Sequence, residues 1–154
     1  MMKKLLIALS LLPSLAFAQV ELKTEMFKVV ETQKQNGTSK VEWIAPDNIV
    51  PGDKVGYLIR FKNNGKEAAA DIVLNNPVPE NTIYVDDSAR GANSNIVFSV
   101  DGGKQFAQPE QLFVEVNGKK VPATAKDYTH VRWTLQSALP AGKEGSVQYV
   151  VQVK

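Results

Sequence analysis

The side chains of this sequence that could do chemistry are one histidine and a set of carboxylates in turn-like segments. His130 is the only histidine, and there is no cysteine. A serine–histidine–acid catalyst would need that imidazole between a nucleophile and a carboxylate. His130 instead precedes an alternating apolar row by one residue, the place of a strand-edge or surface residue. A single imidazole without thiolates also falls short of the ligand set that holds zinc. Among the acids, Asp86-Asp87-Ser88 follows a strand-like run, Glu80 and Asp71 lie upstream, and Asp101-Gly102-Gly103 turns at another run's end. Loops gathered at one end of a sandwich would bring such hard oxygen ligands together for calcium. Asp86, Asp87 and Asp101 are therefore the calcium candidates. Against this, no segment follows the alternating-acid calcium loop with its closing glutamate, and acids in turns commonly bond their own backbone. A glycosidase pair would need two carboxyl groups held close together, and the spacing offers no such pair. Trp43, Phe106, Phe113 and Tyr128 fall in less regular stretches. They are either a platform for a sugar or peptide or lids on the ends of the core. Asn36-Gly37-Thr38 has the form of a glycosylation acceptor and reads as a hairpin turn.

The elements that must position these residues are strands. Val55, Tyr57, Ile59 and Phe61 alternate with Lys54, Gly56, Leu58, Arg60 and Lys62. Val131, Trp133 and Leu135 form a second row of the same period, and Val147, Tyr149, Val151 and Val153 a third. A period of two places each apolar set on one sheet face, so Tyr57, Ile59, Phe61, Trp133 and Tyr149 are expected core residues. Shorter candidates are residues 20–30, 40–44, 70–75, 82–85, 96–100 and 112–116. Asn36-Gly37, Asn64-Gly65, Gly102-Gly103 and Asn117-Gly118 offer the positive φ that tight turns require. Pro46, Pro51, Pro77, Pro79, Pro109, Pro122 and Pro140 lie between the runs. No stretch after the first eighteen residues has a helical apolar stripe. The pattern predicts an all-β immunoglobulin-like antiparallel sandwich carrying an extra N-terminal hairpin. Residues 45–53 join that hairpin to the rest. The last row, ending at Val153, is expected to be an exposed sheet edge.

Lys3 and Lys4, the apolar run Leu5–Leu15 and the small-x-small site Ala16-Phe17-Ala18 make residues 1–18 a signal peptide cleaved before Gln19. The run is shorter than the roughly 20 residues of a membrane-spanning helix, so no stable anchor is expected after cleavage. The chain has 18 Lys and Arg against 16 Asp and Glu, and losing Lys3 and Lys4 leaves 16 of each sign. A domain without net positive charge gives no support for nucleic acid as partner. Without cysteine there is no disulfide framework, so residues 19–154 must be held by one core as a single domain.

Val50-Pro51-Gly52-Asp53-Lys54-Val55-Gly56-Tyr57, then Asn63-Asn64-Gly65, Ala69, Ile72-Val73-Leu74, Pro77-Val78-Pro79 and Ile83-Tyr84-Val85, form an ordered set. Ser99-Val100-Asp101-Gly102-Gly103-Lys104, Val131-Arg132-Trp133-Thr134-Leu135, Leu139-Pro140-Ala141-Gly142 and the strand from Gly145 to Val153 continue it. Over residues 49–153 the chain resembles the bacterial conserved-repeat domain, domain of unknown function eleven. The resemblance implies an immunoglobulin-like sandwich of exported or cell-surface proteins, used as a spacer or interaction module and sharing no catalytic residues. One copy rather than an array, and Asn76 where the family often has an aspartate, set this chain apart. Pro51, Gly52, Asp53, Asn64, Gly65, Gly102, Gly103 and Gly142 are expected to build turns.

Three readings follow. The first is a non-enzymatic module of the bacterial cell envelope, periplasmic or secreted, that binds a protein or another envelope component through sheet edges or end loops. The second is a structural subunit of a surface fibre or adhesin. The third is a calcium-dependent ligand binder using Asp86, Asp87 and Asp101. No residue pattern requires a cofactor.

Overall fold

The computed structural model describes residues 19–154. The expected signal peptide, residues 1–18, lies outside the described residues. The strands are β1 (Val20–Gln33), β2 (Ser39–Ile44), β3 (Lys54–Asn63), β4 (Val73–Pro77), β5 (Thr82–Tyr84), β6 (Arg90–Gly91), β7 (Ser94–Ser99), β8 (Phe113–Val116), β9 (Lys119–Pro122), β10 (His130–Leu135) and β11 (Glu144–Val153). Pro109–Gln111 and Ala125–Asp127 each make a single 3-10 turn.

The strands form antiparallel sheets. The large sheet runs β2-β1-β3-β11-β5, with β6 also beside β11, the small sheet runs β4-β10-β7, and β8 and β9 form a separate ribbon. Their facing sides make the core. Val55, Ile59, Phe61, Val147, Tyr149 and Val151 come from the large sheet, and Leu74, Phe98, Val131 and Trp133 from the small one. Trp133 is completely buried, its ring centroid 5.8 Å from that of Tyr149 in the opposite layer. Both polar ends find partners, since Trp133 Nε1 donates to Arg90 O at 3.1 Å and Tyr149 Oη to Pro77 O at 2.8 Å. Tyr57 is half-buried and stacks on Tyr149 at 5.2 Å. Burying each large apolar side chain contributes about 1.5–3 kcal/mol, which is how the fold holds without cysteine.

Several expectations change. The strand ending at Val153 is not an edge: β11 has β3 along one side and β5 and β6 along the other. The free edge next to the N-terminal hairpin belongs to β2. β1 is bonded to β3 from Val20↔Asn63 to Val29↔Lys54, so the hairpin is an extension of the large sheet, and its tip projects past the start of β3. Pro77 and Pro122 lie within β4 and β9 rather than between strands. Each strand has a neighbour on one side only, where a missing N–H leaves the ladder intact.

The turns account for most of the glycines singled out above. Asp53 N donates to Val50 O at 3.0 Å, with Pro51 and Gly52 (φ 92°) between them as a type II turn requires. Lys143 N closes the same kind of turn on Pro140 O at 3.1 Å, with Gly142 at φ 73°. Asn117 and Gly118, at φ 51° and 74°, link β8 to β9 with the backbone of a type I′ hairpin. Asn64-Gly65 departs from expectation: neither residue has positive φ. That corner is tied by the wholly buried Asn63, which accepts Gly65 N on Oδ1 at 2.9 Å and donates through Nδ2 to Glu67 O and Leu139 O at 2.7 and 2.9 Å.

Candidate functional site

The outer face of the large sheet, away from the core, carries an apolar strip. Its origin is the parity of the ladder: Trp43 lies opposite Val29, Phe27 opposite Gly56, and Gly56 opposite Val150. All of these share the face opposite Val55, Tyr57 and Ile59. Gly56 has no side chain, and the Trp43 indole occupies the space above it. Phe27 backs that indole with a centroid separation of 5.8 Å. Val150 is only 9% exposed although it faces outward.

The far wall is the loop between β5 and β6. Val85 N donates to Val150 O at 2.9 Å, and Ser88 Oγ both accepts Val150 N at 3.0 Å and donates to Val150 O at 3.1 Å. Tyr84 Oη accepts Ala89 N at 2.9 Å, and burial pushes that phenol above its ordinary pKa. Arg90 folds back to donate to the carbonyls of Asp87 and Ala89. The loop is thereby stitched to β11, and Asp86 and Asp87 at its crest stay exposed. Between this wall and Val41 and Trp43 runs a groove of about 320 Å³, with Lys54, Gln148 and Val150 also lining it. An apolar floor, two rim carboxylates and an exposed Val41 suit the binding of a side chain or an extended segment better than bond-making chemistry.

The other expected site residues lie elsewhere. Asp101 lines a different cavity, with Phe113 and Lys120. Its Oδ1 accepts Ser99 Oγ at 2.7 Å and the Lys104 and Gln105 N–H groups at 3.0 Å each. The Gln105 N–H, then the Ser99 hydroxyl, hold this carboxyl below its ordinary pKa. It is committed to a turn built on Gly102 and Gly103, at φ 79° and 84°. Among the described residues no three His, Asp or Glu side chains converge as a metal would need.

His130 Nδ1 lies 3.2 Å from the Thr129 hydroxyl, and its ring meets Phe106 edge-on. The Arg132 guanidinium sits 3.5 Å from the Phe106 ring centroid, so Phe106 is sandwiched on the outer face of the small sheet. Tyr128 is a core residue, stacked on Phe98 at 4.5 Å. Phe113 is partly exposed under the Lys120 ammonium at 4.5 Å. Asn36 Oδ1 accepts both the Thr38 N–H at 3.1 Å and the Thr38 hydroxyl at 2.6 Å, closing the β1–β2 hairpin. Of the residues singled out in the sequence, the structure brings together Trp43, Asp86 and Asp87. It adds Val41, Gly56, Gln148 and Val150, for which the one available signal was a glycine within a strand, the mark of a close approach.

No family model, curated protein or solved structure matches the chain.

Proposed function

We propose that the chain is an exported, non-enzymatic immunoglobulin-like module of the bacterial conserved-repeat kind, which takes a segment of another protein or envelope component into the groove on the large sheet. The observation that carries this reading is the outward-facing apolar strip of Trp43, Gly56 and Val150, walled by a loop that Ser88 and Tyr84 hold in place. A protein spends conformational freedom on ordering such a loop, and a groove that is already formed costs its ligand less to enter. The Lys3-Lys4 and Leu5–Leu15 pattern with Ala16-Phe17-Ala18 supports delivery to the periplasm or beyond.

The test is site-specific photo-crosslinking in producing cells. A probe replacing Gln148 should give a discrete adduct that Trp43→Ala removes, while the same probe replacing Asn95 on the small sheet gives none. No adduct from position 148, or equal adducts from both positions, sinks the groove. Intact mass of the envelope protein should begin at Gln19; retention of residues 1–18 sinks export with cleavage.

A further inference from the structure

We infer that β2 pairs with β2 of a second copy of this chain, antiparallel across a two-fold axis at Val41. This inference concerns the backbone edge of β2, whose Val41 and Trp43 also border the groove; it does not rest on the groove's having a ligand.

β2 is the last strand of the large sheet on its side. Lys34 N donates to Thr38 O at 2.8 Å at the hairpin end. Counting along the antiparallel ladder from that bonded pair, the backbone N–H and C=O groups of Ser39, Val41 and Trp43 turn away from β1. These are the groups that another strand would meet. Val41 is 57% exposed and Ile44 46%.

The charges on β2 decide what that strand can be. Lys40 and Glu42 share the face opposite Val41 and Trp43, and within one chain they form an ion pair at 2.7 Å. Charges on an edge strand normally block pairing, because an arbitrary partner leaves them unmatched. The same strand running the other way matches them. With the axis at Val41, Lys40 of each chain faces Glu42 of the other, Val41 faces Val41, and Ser39 faces Trp43. Moving the axis by one residue sets Lys40 against Lys40 or Glu42 against Glu42, which is repulsive. The strand is therefore complementary to itself in a single register. The contact is isologous and closes as a dimer rather than growing into a fibre. It would continue the large sheet through both chains.

The test uses protein purified after expression of the full-length chain, followed by sedimentation velocity over a concentration series. The unaltered protein should show a concentration-dependent monomer–dimer equilibrium. Lys40→Glu and Glu42→Lys, each alone, should weaken it roughly tenfold, since each places like charges at two symmetric cross-strand positions. Mixing the two variants in equal amounts should restore dimer, because the mixed pair carries opposite charges throughout. That rescue also shows that both variants fold. A chain that stays monomeric at every concentration, a dimer indifferent to Lys40→Glu, or no rescue on mixing overturns the inference.

Discussion

The indole of Trp43 on β2 fills the place where Gly56 on β3 has no side chain: a Cβ there would lie 2.5 Å from Cζ3 of the ring. β1 separates the two strands in the sheet, so the contact reaches across a neighbour and pins the hairpin to the main body from outside.

Gly56→Ala should therefore act as an overpacking change on an outward-facing surface. The methyl group must expel the indole or shift β2, at a cost of about 1–3 kcal/mol. Urea unfolding should show the lowered midpoint. The chain has two tryptophans, and Trp133 is fully buried, so a new red-shifted emission component would report release of Trp43. An alanine variant with unchanged stability and emission would show that the contact carries no weight.

Asn63 is the corresponding device inside the fold. Its amide makes three hydrogen bonds to the corner between β3 and the segment after it, and to Leu139. Asn63→Ala should cost about 2–3 kcal/mol, since each bond is worth roughly 1 kcal/mol and buried carbonyls lose a donor. Asn63→Asp should be worse at neutral pH, because a carboxylate would face the Glu67 and Leu139 carbonyl oxygens. Burial and those oxygens raise the folded-state pKa of such an aspartate, so the variant should regain stability as pH falls. Denaturant melts at pH 7 and pH 5 decide it: an aspartate variant no worse than alanine at pH 7 refutes the assignment.

Lys28 of β1 reaches Asp53 at 2.7 Å, and Asp53 also accepts Val50 N at 2.9 Å. The Lys28 ammonium, then the Val50 N–H, hold the Asp53 carboxyl below its ordinary pKa of 3.8. A depressed carboxylate pKa contributes stability above the unfolded value that is lost as pH falls through the folded one. Asp53→Asn should melt below the unaltered protein at pH 7, and the gap should close as the pH drops below about 4. Thermal melts by circular dichroism across that range measure it, and a gap independent of pH would rule out the carboxylate as its source.

The rows that became β3, β10 and β11 were legible because one face of each is buried and the other is not, which writes a period of two into the residues. Turn chemistry was legible at Pro51-Gly52 and Asn117-Gly118, where a special φ demands a special residue. The order of strands in a sheet leaves no such trace. β11 has an apolar residue, Val150, on its outward face because it lies in the middle of a sheet beneath a loop; its place as the last of the apolar rows made the same strand look like an edge. β9 was hidden by Lys119, Lys120 and Pro122, tolerated because a two-stranded ribbon buries little. The groove was half visible. Trp43, Asp86 and Asp87 could be named, but their convergence depends on pairings between segments far apart in sequence, and Asp101 shared their composition without sharing their place.

The strand that completes the middle of the large sheet, β11, lies far along the chain from its partner β3. Val55 waits for Val151, and Phe61 for Gly145. Until that segment is in place, β3 has one neighbour instead of two, and the core lacks Val147, Tyr149 and Val151. Such distant pairing makes folding slow compared with helical domains of similar length.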